Sequence, residues 1–318
     1  MSNRFVLGCD GGNTKTIALV ARDDGTIVGW GRAGSSDVHD NPAALEELTR
    51  AVADACAMAG CTGADINHAV FGLAGADWPE DFALLDETMR GAIGGGVLVL
   101  NDAVNAIRCG TPDGVGILVS CGTGGTAAGM SADGTIYHRG FWPEPSGARE
   151  IGRLGLSAVQ RAYLGIGLPT ALTERALARY DAADPDGLLH LLTRRDRDSN
   201  TDSRWFCPDV LDVAAEGDPI AMAIVRREGK VLGEQAAVCA RELGFTGAFP
   251  LVLVGGVFRH PTSLLRDAVQ AEVPLGVPVE AAVEPAVGAL LRAFDALGVS
   301  VDEAVQASLP AASVFATS

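Results

Sequence analysis

A glycine-rich turn near the start of the chain has the residue types needed to bind phosphate. Its residues are Asp10, Gly11, Gly12, Asn13, Thr14 and Lys15. Glycines let backbone N–H groups come close to phosphate oxygens, Thr14 adds a hydroxyl donor, and Lys15 adds a cation. Asp10 lies at a strand end, where its carboxylate could hold a hydrated Mg²⁺. Taken alone, the turn could equally be an ordinary glycine-rich hairpin.

A second turn of this kind lies further along the chain. It contains Gly122, Thr123, Gly124, Gly125 and Thr126. With Ala127 it also matches G-x-G-x-x-A, the pattern of dinucleotide-binding folds, but that interpretation needs a helix directly after the glycines. A strand and a hairpin are predicted there instead, so we favour a second phosphate-binding turn.

A third glycine pair, Gly255 and Gly256, follows a short apolar strand predicted over residues 250–254. Without side chains, this pair could let a nucleotide base or ribose lie against the backbone. The chain contains no Walker A sequence, so a phosphate-binding loop of that type is excluded.

The elements that position these turns form a repeated pattern of strand, glycine turn, strand, turn and strand. The predicted strands lie at 5–9, 16–21, 26–30, 68–71, 97–100, 115–120, 126–130, 135–138 and 250–254. The predicted helices lie at 42–59, 80–89, 261–272 and 285–297, and helical segments dominate 147–243. Asn41 and Pro42 are predicted to start the first helix and Gly60 to end it. Two related α/β halves explain this order.

Taken in order, the motifs resemble the N-acetylglucosamine kinase-like branch of the actin/hexokinase-like superfamily, often labelled the BadF/BadG/BcrA/BcrD ATPase family. DGGNTKT resembles its first phosphate motif, CGTGG its second, and LVLVGGVF its adenosine motif. PAVGALL, at 285–291, resembles the C-terminal helix that packs on the first domain. The resemblance runs from about Leu7 to Leu291, and it implies an α/β fold of two ribonuclease H-like (actin-like ATPase) domains with a hinge cleft. The implied domains are 1–110 plus 285–318, and 111–284.

The resemblance implies transfer of a phosphoryl group from ATP, with Mg²⁺, to a sugar hydroxyl. Asp102, in VLVLNDAVNA, falls where the family keeps its catalytic aspartate and would accept the hydroxyl proton as general base. Thr14, Lys15, Thr123 and the turn amides would hold the transferring group. An aspartate after a strand is also a common helix N-cap, here for residues 103–109. The flanking motifs favour catalysis.

The predicted sugar site departs from the family pattern towards more negative charge. The loop GSSDVH resembles a family loop of the type GPSN, with Asp37 replacing the sugar-binding Asn, next to Ser36 and near His39. Glu144 starts a stretch that resembles GDEGSGYWIGR, whose second acid is replaced by proline here. A free ammonium group prefers carboxylate partners. We therefore hypothesise D-glucosamine as the substrate, with N-acetylglucosamine as the alternative.

The composition limits the partners. There are 40 acidic and 24 basic residues, and a net charge of −16 repels nucleic acid and anionic lipid. No apolar run reaches membrane-spanning length, and the start has no signal-peptide layout. We expect a cytoplasmic protein with reduced thiols, and the resemblance makes a homodimer plausible. The cysteines lack a CxxC pair and are Cys9, Cys56, Cys61, Cys109, Cys121, Cys207 and Cys239.

Two alternatives belong to other functional classes. One is an ATPase that activates a radical dehydratase or reductase and holds an iron–sulfur cluster through paired cysteines, for which the cysteine spacing gives no sign. The other is a sugar-responsive regulator without catalysis, which should carry a DNA-binding module. Neither end of the sequence has a spare basic segment for such a module.

Overall fold

The computed structural model describes residues 4–138, 144–196, 199–281 and 284–299. The strands are β1 (Phe5–Gly11), β2 (Thr16–Arg22), β3 (Ile27–Ala33), β4 (Ile66–Leu73), β5 (Gly96–Asn101), β6 (Gly116–Cys121), β7 (Gly125–Met130), β8 (Ile136–His138), β9 (Phe249–Val254) and β10 (Gly276–Glu280). The α-helices are α1 (Ala44–Ala59), α2 (Pro79–Ala92), α3 (Asp102–Ala106), α4 (Ala148–Tyr163), α5 (Leu172–Tyr180), α6 (Pro185–Thr193), α7 (Cys207–Ala215), α8 (Pro219–Glu242), α9 (Leu264–Glu272) and α10 (Pro285–Ala296).

The strands form two five-stranded sheets with the same strand order. The first has the order β3-β2-β1-β4-β5, and the second has the order β10-β9-β6-β7-β8. Read from β8, the second sheet repeats the first strand for strand, with β6 in the place of β1 and β9 in the place of β4. In the first sheet β1, β4 and β5 run parallel, while β2 and β3 form an antiparallel meander on β1. The predicted α/β fold with two related halves is confirmed.

The chain divides into two compact units. Among the described residues, the first unit contains 4–118, 128–138, 279–281 and 284–299, and the second contains 119–127, 144–196 and 199–278. The domain boundaries implied by the resemblance remain a prediction.

Both faces of the first sheet are buried, as is usual where parallel strands are covered by helices. One face of the sheet packs against α10. The buried residues of this contact include Val6, Ile17, Leu19, Val70, Ala286, Leu290 and Phe294. The other face packs against α1 and α2. The buried residues of this contact include Leu7, Phe71, Leu48, Leu85 and Met89. Val6 and Leu7 enter different clusters because successive side chains of a strand point to opposite faces. This two-sided packing fixes the ends of β1, β4 and β5, and it confirms that the predicted helix after Pro285, which is α10, packs on the first unit.

Some element boundaries differ from the sequence expectation. Helix α1 begins at Ala44 rather than Pro42, since Asn41 accepts the Ala43 N–H in a turn that precedes the helix. Its predicted end is confirmed, because Gly60 adopts the left-handed conformation with φ of 70°. Strand β10 was not predicted, and Pro278 explains why. Proline cannot donate to a strand ladder and is confined to sheet edges, which is where β10 lies.

Candidate active site

The ends of three parallel strands bring two predicted functional acids to one edge of the first sheet. Gly11, Leu73 and Asn101 lie in register across β1, β4 and β5. Asp10 directly precedes Gly11, and Asp102 directly follows Asn101. Because parallel strands end at the same sheet edge, both carboxylates belong to that edge, where ligands commonly bind in open α/β folds.

The cap of helix α3 is Asn101 and not Asp102. The Asn101 side chain accepts the Ala103 N–H over 3.0 Å from the N-cap position. Asp102 is the first helical residue, and its Oδ1 accepts the same N–H over 2.8 Å. The alternative in which Asp102 serves as the N-cap is therefore wrong. Asp102 is held at the first position of α3, while Asn101 caps the helix.

The pKa of Asp102 is suited to proton transfer near neutral pH. Desolvation raises the pKa of this carboxyl to about 6, and the negative charges of Asp77 and Asp37 contribute to the rise. The Ala103 N–H and His138 act in the opposite direction by stabilising the carboxylate. A general base works best when its pKa lies near the working pH, so this environment fits that role.

Asp77 and His138 are neighbours of Asp102 that the sequence analysis did not assign. Asp77 Oδ1 accepts from Asn101 Nδ2 over 3.2 Å and lies 3.2 Å from His138 Nε2. Asp77 thus braces the residue that caps α3. One signal for Asp77 was present in the sequence, because GLAGAD follows a buried strand that is parallel to the strand before Asp102. Nothing in the sequence pairs His138 with this site.

The first glycine turn is closed and carries a charged pair. Gly12 N–H donates to the Lys15 carbonyl over 2.9 Å. Lys15 Nζ donates to Oε1 of the buried Glu284 over 2.6 Å. Burial raises the pKa of Asp10 well above its ordinary value, and the charges of Asp102 and Glu284 add to the rise, while Lys15 opposes it. Glu284 is a member of this site that sequence reasoning missed.

The donor atoms around Asp10 fit a magnesium ion. Carboxylate oxygens are the ligands Mg²⁺ prefers, and a cation would relieve the repulsion that Asp102 and Glu284 exert on Asp10. Across the described part of the chain, no group of three or more His, Cys, Asp or Glu side chains is arranged to hold a metal.

The loop predicted to bind sugar is joined to the first glycine turn. Ser36 N–H donates to the Gly12 carbonyl over 3.3 Å, and Asn13 Nδ2 donates to Asp37 Oδ2 over 2.6 Å. Asp37 is buried, and its Oδ1 accepts the N–H of His39 over 2.9 Å. Asp37 therefore also caps a local turn, the structural role that its residue type allows.

His39 is exposed and lies against a helix start. Its Nε2 is 3.1 Å from Oδ2 of Asp81, which also accepts the Trp78 N–H at the start of α2. Desolvation lowers the pKa of His39, but the opposing effects of Asp81 and of the Asp37 charge leave it above its ordinary value. Its assignment to the sugar site remains a prediction, as do those of Ser36 and Asp37.

The second glycine turn lies in the second unit, between β6 and β7. Gly122 N–H donates to the Gly124 carbonyl over 2.9 Å. Gly255, at the end of β9, packs directly against this turn, since a Cβ on Gly255 would lie 2.3 Å from the carbonyl oxygen of Cys121. Its φ of 103° also requires glycine. Two of the predicted nucleotide motifs are thus brought together, while Gly256 is exposed beside them.

A further segment, Ser146–Arg149, is bonded to the second turn. Ser146 Oγ donates to the Gly125 carbonyl over 2.9 Å. Ala148 N–H donates to the Gly122 carbonyl over 2.8 Å, and Arg149 N–H to the Thr123 carbonyl over 3.1 Å. Glu144, two residues before this segment, is exposed, and its contact with sugar remains a prediction.

Comparison with known proteins identifies the family. The model of the BadF/BadG/BcrA/BcrD ATPase family matches residues 7–293, so the chain belongs to this family. An N-acetyl-D-glucosamine kinase from Dictyostelium discoideum is 23% identical over 316 residues, which covers 93% of this chain and 99% of that protein. Membership of this family implies that the chain uses ATP.

Solved structures share the fold. A protein from Chromobacterium violaceum, provisionally named an N-acetylglucosamine kinase, is 24% identical with a TM-score of 0.69, covering 92% of this chain and all (100%) of that one. A ROK family glucokinase from Streptomyces griseus, solved with glucose and AMPPNP, is 18% identical with a TM-score of 0.56, covering 91% and 98% of the two chains.

These findings confirm three predictions: the family, the two-domain α/β fold, and the enzyme class, a phosphotransferase with an alcohol group as acceptor. No helix in the described ranges is long and apolar enough to cross a membrane.

Proposed function

We propose that this protein is an ATP-dependent amino-sugar kinase that converts ATP and D-glucosamine to ADP and D-glucosamine 6-phosphate. The observation that carries the proposal is Asp102, a carboxylate at the end of β5 whose pKa is raised to about 6 mainly by desolvation. Position 6 of the sugar follows from the family resemblance.

Asp102 is the general base of the proposed reaction. Its ionised carboxylate accepts the proton of the sugar hydroxyl while the hydroxyl oxygen bonds to the γ-phosphorus of ATP. The bond between that phosphorus and the β–γ bridging oxygen breaks, and ADP leaves. Helix α3 and the Asn101 cap hold Asp102 in place, and Asp77 braces Asn101. Phosphoryl transfer depends chiefly on such positioning and on charge stabilisation.

The phosphate groups are bound by the two glycine turns in this proposal. In the first unit, the amides of Gly11 to Lys15 and the Thr14 hydroxyl donate to phosphate oxygens, and Lys15 contributes a positive charge. In the second unit, the amides and hydroxyl of Gly122 to Gly124 have the same role, and Gly255 and Gly256 lie against the nucleoside. Asp10 would hold a Mg²⁺ ion, which would supply charge neutralisation of the phosphates when bound.

Negative charge near Asp102 supports glucosamine as the acceptor. Asp37 and Asp77 both raise the pKa of Asp102, so all three carboxylates act on one region. An ammonium group at carbon 2 would be attracted to this region, whereas a neutral acetamido group would gain much less. In the proposed site Ser36, Asp37 and His39 contact the sugar, and Glu144 is a further proposed sugar contact.

N-acetylglucosamine is the second candidate substrate. It is favoured by the Dictyostelium discoideum relative, which is an N-acetyl-D-glucosamine kinase that aligns with 93% of this chain. Asp37 also bears on this choice, because both of its carboxylate oxygens already accept hydrogen bonds from within the protein. The negative charge of Asp37 can still attract an ammonium group, although its two oxygens already accept one hydrogen bond each.

A coupled assay of ADP release tests the proposal. ATP and Mg²⁺ are supplied with glucosamine, N-acetylglucosamine, glucose or mannosamine, and with no sugar. We expect release that requires sugar and is fastest with glucosamine at low sugar concentration. Equal kcat/KM for glucose and glucosamine would remove the charge argument, and a preference for N-acetylglucosamine would support the second candidate. Release that is independent of sugar, together with bound iron and a brown colour, would favour the activator of a radical enzyme.

A further inference from the structure

Glu228 is a buried acid for which the proposed reaction has no use. It lies in the middle of α8, in the second unit, and is 0% exposed. Its Oε1 accepts the Gly147 N–H over 2.6 Å. Its Oε2 is also buried and has no hydrogen-bond partner among the described residues. Burial of a carboxyl group is costly unless its hydrogen bonds compensate, so packing alone does not explain this residue.

Gly147, whose N–H donates to Glu228, packs closely against the second glycine turn. Gly147 has φ of 86°, and a Cβ there would lie 2.3 Å from the carbonyl carbon of Gly124. Only glycine allows the backbone to come this close. The residues on both sides of Gly147 bond to the same turn, since Ser146 donates to Gly125 and Ala148 donates to Gly122. Glu228 therefore supports the second glycine turn indirectly, through its hydrogen bond with Gly147.

Burial and the nearby charges together set the ionisation of Glu228. Desolvation raises the pKa of Glu228 to about 7, while the Gly147 N–H and Arg227 oppose the rise and Glu150 and Glu144 add to it. The buried thiols of Cys121, on β6, and Cys207, on α7, also face Glu228, since the charge of Glu228 raises the pKa of both thiols. In either protonation state, Oε1 can accept the Gly147 N–H.

We propose that Glu228 is a positioning residue that, through Gly147, holds the second glycine turn in the conformation that binds the phosphates of ATP. It does not touch the nucleotide. The inference builds on the proposed use of ATP by this chain, and it adds a residue on α8 to the set that determines nucleotide affinity. A glycine-rich turn depends on support from neighbouring residues, because glycine-rich segments lose more conformational freedom than others when they are ordered.

Two near-isosteric variants separate the hydrogen bond from the volume of the side chain. Glu228→Gln keeps an oxygen that can accept the Gly147 N–H, and Glu228→Met does not. We expect Glu228→Met to raise KM for ATP about tenfold, since a hydrogen bond to a charged group contributes about this factor or more. Glu228→Gln should stay within about threefold of the wild type. KM for the sugar should change by less than about twofold in both variants, since the lost bond supports the nucleotide turn.

The kinetic pattern distinguishes positioning from a purely structural role. A purely structural role would lower the melting temperature and the active fraction, and hence the apparent kcat, without raising KM for ATP. Glu234→Gln is the control, since Glu234 lies on the same helix but is exposed and pairs with Lys230. The proposal is overturned if Glu228→Met keeps the wild-type KM for ATP, or if Glu228→Gln is as impaired as Glu228→Met.

Two further measurements keep the inference independent of the sugar chemistry. Calorimetric binding of ATP and Mg²⁺ without sugar should show the same order of the variants, even if no sugar tested is phosphorylated. If Glu228→Met does not fold, hydrogen exchange in the wild-type protein decides. The Gly147 amide should exchange slowly, and more slowly still with ATP bound. Fast exchange of the Gly147 amide would contradict a stable hydrogen bond from this amide to Glu228.

Discussion

The side-chain amide of Asn13 donates to a carboxylate oxygen of Asp37 over 2.6 Å. The bond joins the turn proposed to bind phosphate to the loop proposed to bind sugar, and both lie in the first unit. A second link, from Ser36 N–H to the Gly12 carbonyl, runs parallel to it over 3.3 Å. Any displacement of the sugar loop must therefore act on the phosphate turn as well.

Replacing Asp37 with Asn tests the role of its charge. The amide oxygen of Asn can still accept one of the two bonds, from Asn13 or from His39, so the loop should keep its fold. We expect KM for glucosamine to rise about tenfold, as for the loss of a charge-assisted hydrogen bond, and KM for glucose to change little. Asp40→Asn is a matched control, because Asp40 is exposed and also accepts from Asn13, over 3.3 Å. A larger loss for glucose than for glucosamine would count against the ammonium site.

Removing Lys15 should affect both stability and nucleotide affinity. Lys15→Met leaves the buried Glu284 without its partner, which should destabilise the protein by about 1–3 kcal/mol, less than for a fully buried pair because Lys15 is partly exposed. The double variant Lys15→Met, Glu284→Gln should regain most of this stability in urea unfolding. It should not regain the affinity for ATP, which we expect to fall about tenfold, as for loss of a charged hydrogen bond. Recovery of ATP affinity in the double variant would mean that Lys15 has only a structural role.

The pKa of Asp102 predicts an acid limb in the pH–rate profile. A general base must be ionised, so kcat/KM for the sugar should rise with pH and level off above a pKa of about 6. Because kcat/KM reports the free enzyme, it is the parameter to compare with the structure. The limb should disappear in Asp102→Asn, measured on its residual activity. A limb centred near pH 4 in the wild type would show that Asp102 is not desolvated as described.

The same carboxylate should lower the stability of the folded protein at neutral pH. Its pKa is about 6 in the folded state and about 3.9 when unfolded, so the native state binds more protons between these values. Stability from this group is therefore highest below pH 4, falls as the pH rises from 4 to 6, and stays low above 6. At pH 7 Asp102→Asn should be more stable than the wild type by about 1–2 kcal/mol, a value reduced for partial exposure of the side chain. The difference should vanish near pH 3 in denaturant unfolding, and a variant less stable than the wild type at pH 7 would contradict it.

Much of the fold follows from local pattern. The strands around both glycine turns were predicted because apolar runs end in glycine and polar residues, and α10 because Pro285 begins a helical apolar pattern. Strand β10 was missed since Pro278 and its edge position remove the usual signal. The start of α1 was placed too early because Asn41 and Pro42 form a turn that has the same residue preferences as a helix start.

Candidate site residues could be named from the sequence where a motif contains them, and not where they depend on tertiary contacts. Asp10, Asp102 and the glycine turns could be named because each lies at or next to the end of a strand, within a motif that resembles the family pattern. Glu284 and Glu228 could not, because their partners Lys15 and Gly147 are 269 and 81 residues away in the chain. Local sequence pattern does not report which distant group a buried acid will contact.

Turnover of Asp102→Asn with ATP, Mg²⁺ and glucosamine is the most direct test of the central claim. The variant should fold, bind ATP as the wild type does, and form glucosamine phosphate 10²–10⁴-fold more slowly, the usual contribution of a general base. The product is followed by mass spectrometry, and Asp86→Asn, at an exposed ion pair with Arg90, serves as the control. Turnover of Asp102→Asn within about tenfold of the wild type would contradict the assignment of Asp102 as the base.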